Sequence, residues 1–196
     1  MRRALLICSA AALLSCTDST APGVPDAQLH VLQKDPSAPQ LDSTVARVWA
    51  KVGDGREIRI GYRPPADTGE DFVRFEVPGD ALLRKPDGSA FQPGDSIQIT
   101  LTVVDPDRFL VHFEPAGLVF NPNQPARLKF HYRQANHDFN GDGVINAADT
   151  TIEHSLDLWR RESATVPWFR QGSVKFEDLD EFDANILSFT EYAIAW

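Results

Sequence analysis

Cysteine is nearly missing from this 196-residue chain: the two present, Cys8 and Cys16, fall within the first sixteen positions. The rest must hold together without a disulfide. No apolar run reaches the roughly 20 residues that a membrane-spanning helix needs. Ala4 to Leu14, the most apolar stretch, falls well short of that. The five histidines, His30, His112, His131, His137 and His154, form no zinc spacing, and no second histidine follows His154 at helical distance. No serine stands in a nucleophile-elbow context, and no glycine loop can cradle a phosphate. These gaps leave no sequence pattern for an enzyme. Basic residues are scarce too, 19 against 28 acidic, for a net charge of −9. Such a chain is a poor partner for nucleic acid or for an anionic membrane surface.

The opening residues carry an address. Arg2 and Arg3 precede the apolar core from Ala4 to Leu14, the layout of an export signal. Leu13-Leu14-Ser15-Cys16 resembles the lipobox of bacterial lipoproteins. The resemblance implies removal of residues 1–15 and a membrane anchor through a lipid on Cys16. It also implies a place in the cell envelope, at the outer membrane or cell surface, facing the periplasm or the exterior. Without Arg2 and Arg3 there are 17 basic residues against 28 acidic, a net of −11. Residues 16–43 read as a lipid-anchored flexible tether. Pro22, Pro25, Pro36 and Pro39 sit there among Ala, Ser, Asp and Gln, with no sustained apolar period. Residues 44–196 are long enough for one domain with its own core.

Within that domain the period is two. Ile58, Ile60 and Tyr62 alternate with polar residues, as do Val73, Phe75 and Val77. Ile97, Ile99, Leu101 and Val103 form the cleanest run, and Phe109, Val111 and Phe113, then Leu128, Phe130 and Tyr132, follow. Turn signals separate them, among them Gly53-Asp54-Gly55, Pro86-Asp87-Gly88 and Pro93-Gly94-Asp95. Short alternating strands at this spacing predict a mainly β chain folded as an antiparallel β-sandwich. Amphipathic helical periodicity is absent before residue 147.

Residues 138–149, Asp-Phe-Asn-Gly-Asp-Gly-Val-Ile-Asn-Ala-Ala-Asp, have the composition of an EF-hand-type calcium loop. Calcium takes six to eight hard oxygen ligands, which a twelve-residue loop supplies from positions 1, 3, 5, 7, 9 and 12. Those positions are Asp138, Asn140, Asp142, Val144 through its carbonyl, Asn146 and Asp149. Gly143 stands at position 6, where the chain turns sharply. Ile145, at position 8, is expected to pin the loop to the core. Asp at position 12 with Asn at position 9 resembles the calcium loops of dockerin modules. A short helix from about Ala147 to His154 should leave the loop and lead into a strand through Trp159. Residues 167–187 admit two readings, a β-hairpin or a degenerate second EF-hand with Gly172 at position 6. In the latter, positions 1, 3 and 5 are Pro167, Phe169 and Gln171, so it would bind no metal.

Three phrases carry a family resemblance. They are Phe75-Glu76-Val77-Pro78-Gly79-Asp80-Ala81-Leu82, then Phe113-Glu114-Pro115-Ala116-Gly117-Leu118-Val119-Phe120 with Pro125-Ala126-Arg127-Leu128, and finally Ile186 to Trp196. In this order they resemble bacterial ZU5-like domains, β-sandwiches of surface and lipid-anchored proteins, over about residues 70–196. Some such domains cut themselves at a His-Phe-Ser phrase. Here it reads Ser188-Phe189-Thr190, and the histidine that would activate the hydroxyl is replaced, so self-cleavage is not expected. Phe189, Ile194 and Trp196 then read as packing residues.

Two features remain. The acidic run Glu177, Asp178, Asp180, Glu181 and Asp183 reads as a solvated face, with a weak second cation site as the alternative. Of Trp49, Trp159, Trp168 and Trp196, at least two are expected in the core, which leaves room for a sugar-stacking platform. The expectation is a non-enzymatic, calcium-binding (Ca2+) surface or periplasmic lipoprotein, a structural or adhesive module whose partner is another protein or a glycan. The alternatives are a dockerin-like docking module, which requires a helix near residues 178–188, and a calcium-assisted carbohydrate-binding domain.

Overall fold

Runs of alternating apolar residues become strands whose apolar faces meet. The structure, a computed structural model, describes residues 23–63 and 71–196, so the export signal and Cys16 lie outside the described residues. The strands are β1 (Val45–Lys51), β2 (Arg56–Gly61), β3 (Asp71–Val77), β4 (Leu82–Arg84), β5 (Ser96–Val103), β6 (Leu110–Glu114) and β7 (Val119–Phe120). They continue with β8 (Ala126–His131), β9 (Asp157–Arg161), β10 (Phe169–Arg170), β11 (Val174–Phe176), β12 (Glu181–Ile186) and β13 (Glu191–Ala195), with one helix, α1 (Ala147–Ser155), before β9. A six-stranded sheet runs β1-β5-β6-β13-β9-β10, a five-stranded sheet β11-β12-β8-β3-β2, and β4 pairs with β7. Pairing is antiparallel throughout. The chain is mainly β, as the period of two predicts, and helix α1 and strand β9 lie where the pattern after the loop puts them.

The core lies between the two large sheets. Ile58, Ile60, Val73, Phe75, Leu128 and Phe130 come from one sheet, and Ile99, Leu101, Val111, Phe113, Tyr192 and Ile194 from the other. Phe75 of β3 meets Phe113 of β6 with ring centroids 4.7 Å apart, and Phe189 stacks on Phe113 at 5.0 Å and meets Phe120 at 5.1 Å. Burying a Phe side chain stabilises by about 1.5–3 kcal/mol, so this cluster is a main tie between the sheets. The three phrases singled out in the sequence converge on it. Leu82 pairs with Phe120, Asn121 N–H donates to the Ala81 carbonyl at 2.7 Å, and Phe120 N–H donates to Leu187 at 2.9 Å.

Two expectations need correction. The stretch after Gly23 is not a flexible tether. Val24 and Trp168 exchange backbone hydrogen bonds at 2.8 Å, Leu32 N–H donates to Ile194 at 2.9 Å, and Asp42 N–H to Gly61 at 2.9 Å. Leu29, Val31, Leu32 and Leu41 are buried. The segment runs beside the end of β13 where β6 has stopped, and its apolar residues outweigh its prolines. The domain thus includes residues 23–43 of the expected tether. Residues 167–187 hold strands rather than a second EF-hand: β11 and β12 form a hairpin, and only a single 3-10 turn, Glu177–Leu179, separates them. The helix near 178–188 that a dockerin-like module requires is strand β12.

Beneath the N-terminal segment is a second apolar cluster of Leu29, Val31, Leu110, Trp159, Trp168, Ala193 and Ala195. Ala193 sits opposite both Leu110 and Trp159, so this cluster lies on the outer face of the six-stranded sheet. Asp26 locks the segment down, accepting from Trp168 Nε1 at 2.9 Å and from Arg161 at 2.7 Å.

Leu32, 1% exposed within the main core, tests this placement. Leu32→Ala should destabilise the protein by about 2–5 kcal/mol in urea unfolding. A free tether would show no change.

Candidate metal centre

Asx residues at alternate positions fold the loop between β8 and α1. Such side chains accept hydrogen bonds from N–H groups two residues ahead and so build turns. Asn140 accepts from Asp142 N–H at 2.9 Å, Asp142 from Val144 N–H at 2.9 Å, and Asn146 from Ala148 N–H at 2.8 Å. Asp138 reaches further, accepting from Asp142 N–H at 3.0 Å and Gly143 N–H at 2.8 Å. Gly143 has φ +85°, the left-handed conformation its position predicts. The Val144 carbonyl accepts from the Asn146 amide at 2.9 Å.

Asp149 closes the ring. It opens the first turn of α1, and its two oxygens accept from Asn140 N–H at 3.2 Å and Asn146 N–H at 2.9 Å. With Asn146 as N-cap this forms a capping box. The side chain is 1% exposed, wrapped by the loop itself at the periphery of the molecule. The Asn146 N–H is the main reason its pKa lies below the ordinary carboxylate value, with the N–H groups of Asn140 and Phe139 adding to it. One connected network therefore includes all six predicted positions: Asp138, Asn140, Asp142, Val144, Asn146 and Asp149.

Three buried carboxylates occur among the described residues, Asp71, Asp149 and Glu181. Asp71 pairs with Arg74 at 2.7 Å and Glu181 with Lys129 at 2.9 Å. Asp149 has backbone N–H partners and no cation. Nor, among the described residues, do three His, Cys, Asp or Glu side chains group closely enough to hold a metal alone. The loop's donors are mixed instead: three carboxylates, two amides and a carbonyl. That all-oxygen set fits a hard cation such as calcium and no soft one.

Ile145 does not pin the loop. It is 70% exposed, beside Val144 at 60%. The anchor is Phe139, which is buried and meets Trp196 edge-on at 6.1 Å and His137 at 5.6 Å. Sequence reasoning missed it, although an aromatic inside an otherwise polar loop was the available signal. On the helix side, Tyr132 donates to Glu153 at 3.4 Å, and Ile152 and Leu156 pack on the core.

The acidic run is only partly a solvated face. Glu181 is buried, Asp183 pairs with Arg127 and Lys129, and Asp180 with Arg133. Cross-strand cations thus neutralise the β12 carboxylates. In the Ser188-Phe189-Thr190 phrase, Phe189 and Thr190 are buried, and Thr190 Oγ1 donates to the Glu191 carbonyl at 3.2 Å. Compared with known proteins, the chain matches no family model, no curated protein and no solved structure.

Folding lowers the Asp149 pKa, so near pH 4 the folded state binds fewer protons than the unfolded chain. This carboxylate's contribution is then complete above about pH 3.9, the ordinary Asp value, and is lost as pH falls through the lower folded value. Asp149→Asn should flatten the fall of urea stability between about pH 5 and pH 3. Equal slopes in the variant and the parent protein would contradict this.

Proposed function

We propose that this chain is a non-enzymatic, calcium-clamped binding module of the cell envelope. One observation carries the reading: Asp149 is a buried carboxylate with no cation, inside a loop that offers five more oxygen donors in the calcium order. Backbone N–H groups hold Asp149 in its charged form, and a divalent ion among these donors would add the counter-charge that no side chain supplies. Bound there, calcium would fix the crossover between the sheets, and its binding energy would appear as folding energy.

The anchor at Cys16 and a place at the outer membrane or cell surface belong to the same proposal. They rest on the export signal and lipobox. The ZU5-like reading of the sandwich rests on the three phrases and gains support from their convergence on one aromatic cluster. The module's role on this reading is structural or adhesive.

Calcium titrated into the purified protein by calorimetry should show one site. At a hundredfold excess over Kd, calcium should add about 2.7 kcal/mol to stability. Asp138→Ala and Asp142→Ala should each abolish that gain, read as the difference in melting with and without calcium, since the loop hydrogen bonds they also remove lower stability in both conditions. No heat and no thermal shift would remove calcium from the account.

A further inference from the structure

The N-terminal segment covers only half of the outer face of the six-stranded sheet. The β13 and β9 half, with Leu110 at the start of β6, is sealed under Leu29, Val31 and Trp168, and the β1 and β5 half lies open. Directly opposed residues of antiparallel strands share a face. The register therefore sets out the open half in rows: Lys51 with Ser96, Trp49 with Gln98, Arg47 with Thr100 and Glu114, and Val45 with Thr102 and His112. Trp49 stands in the second row, 59% exposed, whereas Trp159 and Trp168 are buried and Trp196 stacks on His30 at 5.5 Å.

The rows around Trp49 are unspent. Arg47, Lys51, Gln98, Thr100 and Glu114 make no side-chain hydrogen bond or ion pair with the described residues, and no described residue covers the exposed indole. The outer face of the other sheet is the opposite case. There Arg74 pairs with Asp71 and Glu57, Arg127 with Glu76 and Asp183, and Lys129 with Glu181 and Asp183. One outer face is internally neutralised, and the other presents a bare aromatic ring among free donors.

We infer that the Trp49 face binds an acidic polysaccharide, a chain of uronate-bearing pyranose rings. This specifies the partner of the proposed binding module and rests on that reading. The C–H face of a pyranose packs on the indole, and its hydroxyls meet Gln98 and Thr100, which both donate and accept. Arg47 and Lys51 stand two residues to either side of Trp49, each about 7 Å along the strand. They are the unpaired cations that a carboxylate on a neighbouring sugar needs, with Arg47 able to grip it bidentately. Glu114 lies two strands away, its backbone about 10 Å from that of Arg47, and the two form no ion pair. On a chain of net charge −9 two cations flanking an indole suit a carboxylated glycan, whose rings also offer a C–H face, better than a polyphosphate, whose binding rests on many phosphate contacts.

The calcium loop is remote from this face. Val45, Thr102, His112 and Glu191 share a row. Trp49 lies four residues from that row in one direction, and Trp196, against which the loop packs, five in the other. That separation is on the order of 30 Å, so the two sites can be tested apart.

The test titrates oligogalacturonate into the full chain, reads affinity by calorimetry for every variant, and follows tryptophan fluorescence in those that keep Trp49. The parent protein should bind with a fluorescence change and more weakly as salt rises. Trp49→Ala should raise Kd at least about tenfold with its melting temperature unchanged, as for an aromatic at the centre of a contact. The Arg47→Ala/Lys51→Ala double variant should weaken binding and flatten its salt dependence. Asp138→Ala, assayed well below its melting temperature, should bind like the parent protein, so a failed calcium titration and a failed glycan titration are separate results. Wild-type affinity in Trp49→Ala, no binding at all, equal affinity for a neutral cello-oligosaccharide, or tighter binding of single-stranded DNA would each overturn the assignment.

Discussion

The buried carboxylate of Asp149 is the constraint around which the crossover between the two sheets is organised. Its oxygens hold the N–H groups of Asn140 and Asn146, which lie near the two ends of the loop. It stands at the third position of α1 and caps the helix with Asn146, and α1 carries the chain from β8 in one sheet to β9 in the other. Loop closure, helix capping and the crossover between the sheets thus share one side chain. Asp71 and Glu181, the other buried carboxylates among the described residues, each have a cation. Asp149 has only backbone N–H groups, which stabilise its negative charge without pairing it to a cation.

How much of this was legible in the sequence depends on how local the signal was. Strands with a clean period of two, such as Ile97 to Val103 and Phe109 to Phe113, could be read because one face of each is buried and side chains alternate. The loop was legible because its oxygens recur at fixed local spacing and Gly143 needs a positive φ. The anchoring of the loop was not. Position 8 stays exposed because no second loop exists to pair with it, and Phe139 takes over through a contact with Trp196, 57 residues away in sequence. The N-terminal segment misled for a related reason. Its prolines suppress any regular period, yet Leu29, Val31 and Leu32 find their partners in β13 and residue 109, far along the chain.

The same segment gives the molecule its asymmetry. By covering the β13 and β9 half of one sheet, it turns Trp159 and Trp168 into core residues and leaves Trp49 outside. Tryptophans indistinguishable by composition therefore differ in role through topology alone. Stability and recognition are also divided. The proposed ion site lies at the end of the sandwich near Trp196, and the proposed glycan face lies toward the other end, so on this account an ion would set the rigidity of the module without entering its contacts.

The most direct test of the central claim is an amide spectrum of the 15N-labelled protein with and without calcium. The account predicts that shifts concentrate in residues 138–149 and the first turn of α1, with the amides of β1 and β5 around Trp49 unmoved. An unchanged loop, or shifts centred on the acidic residues of β12 instead, would contradict it.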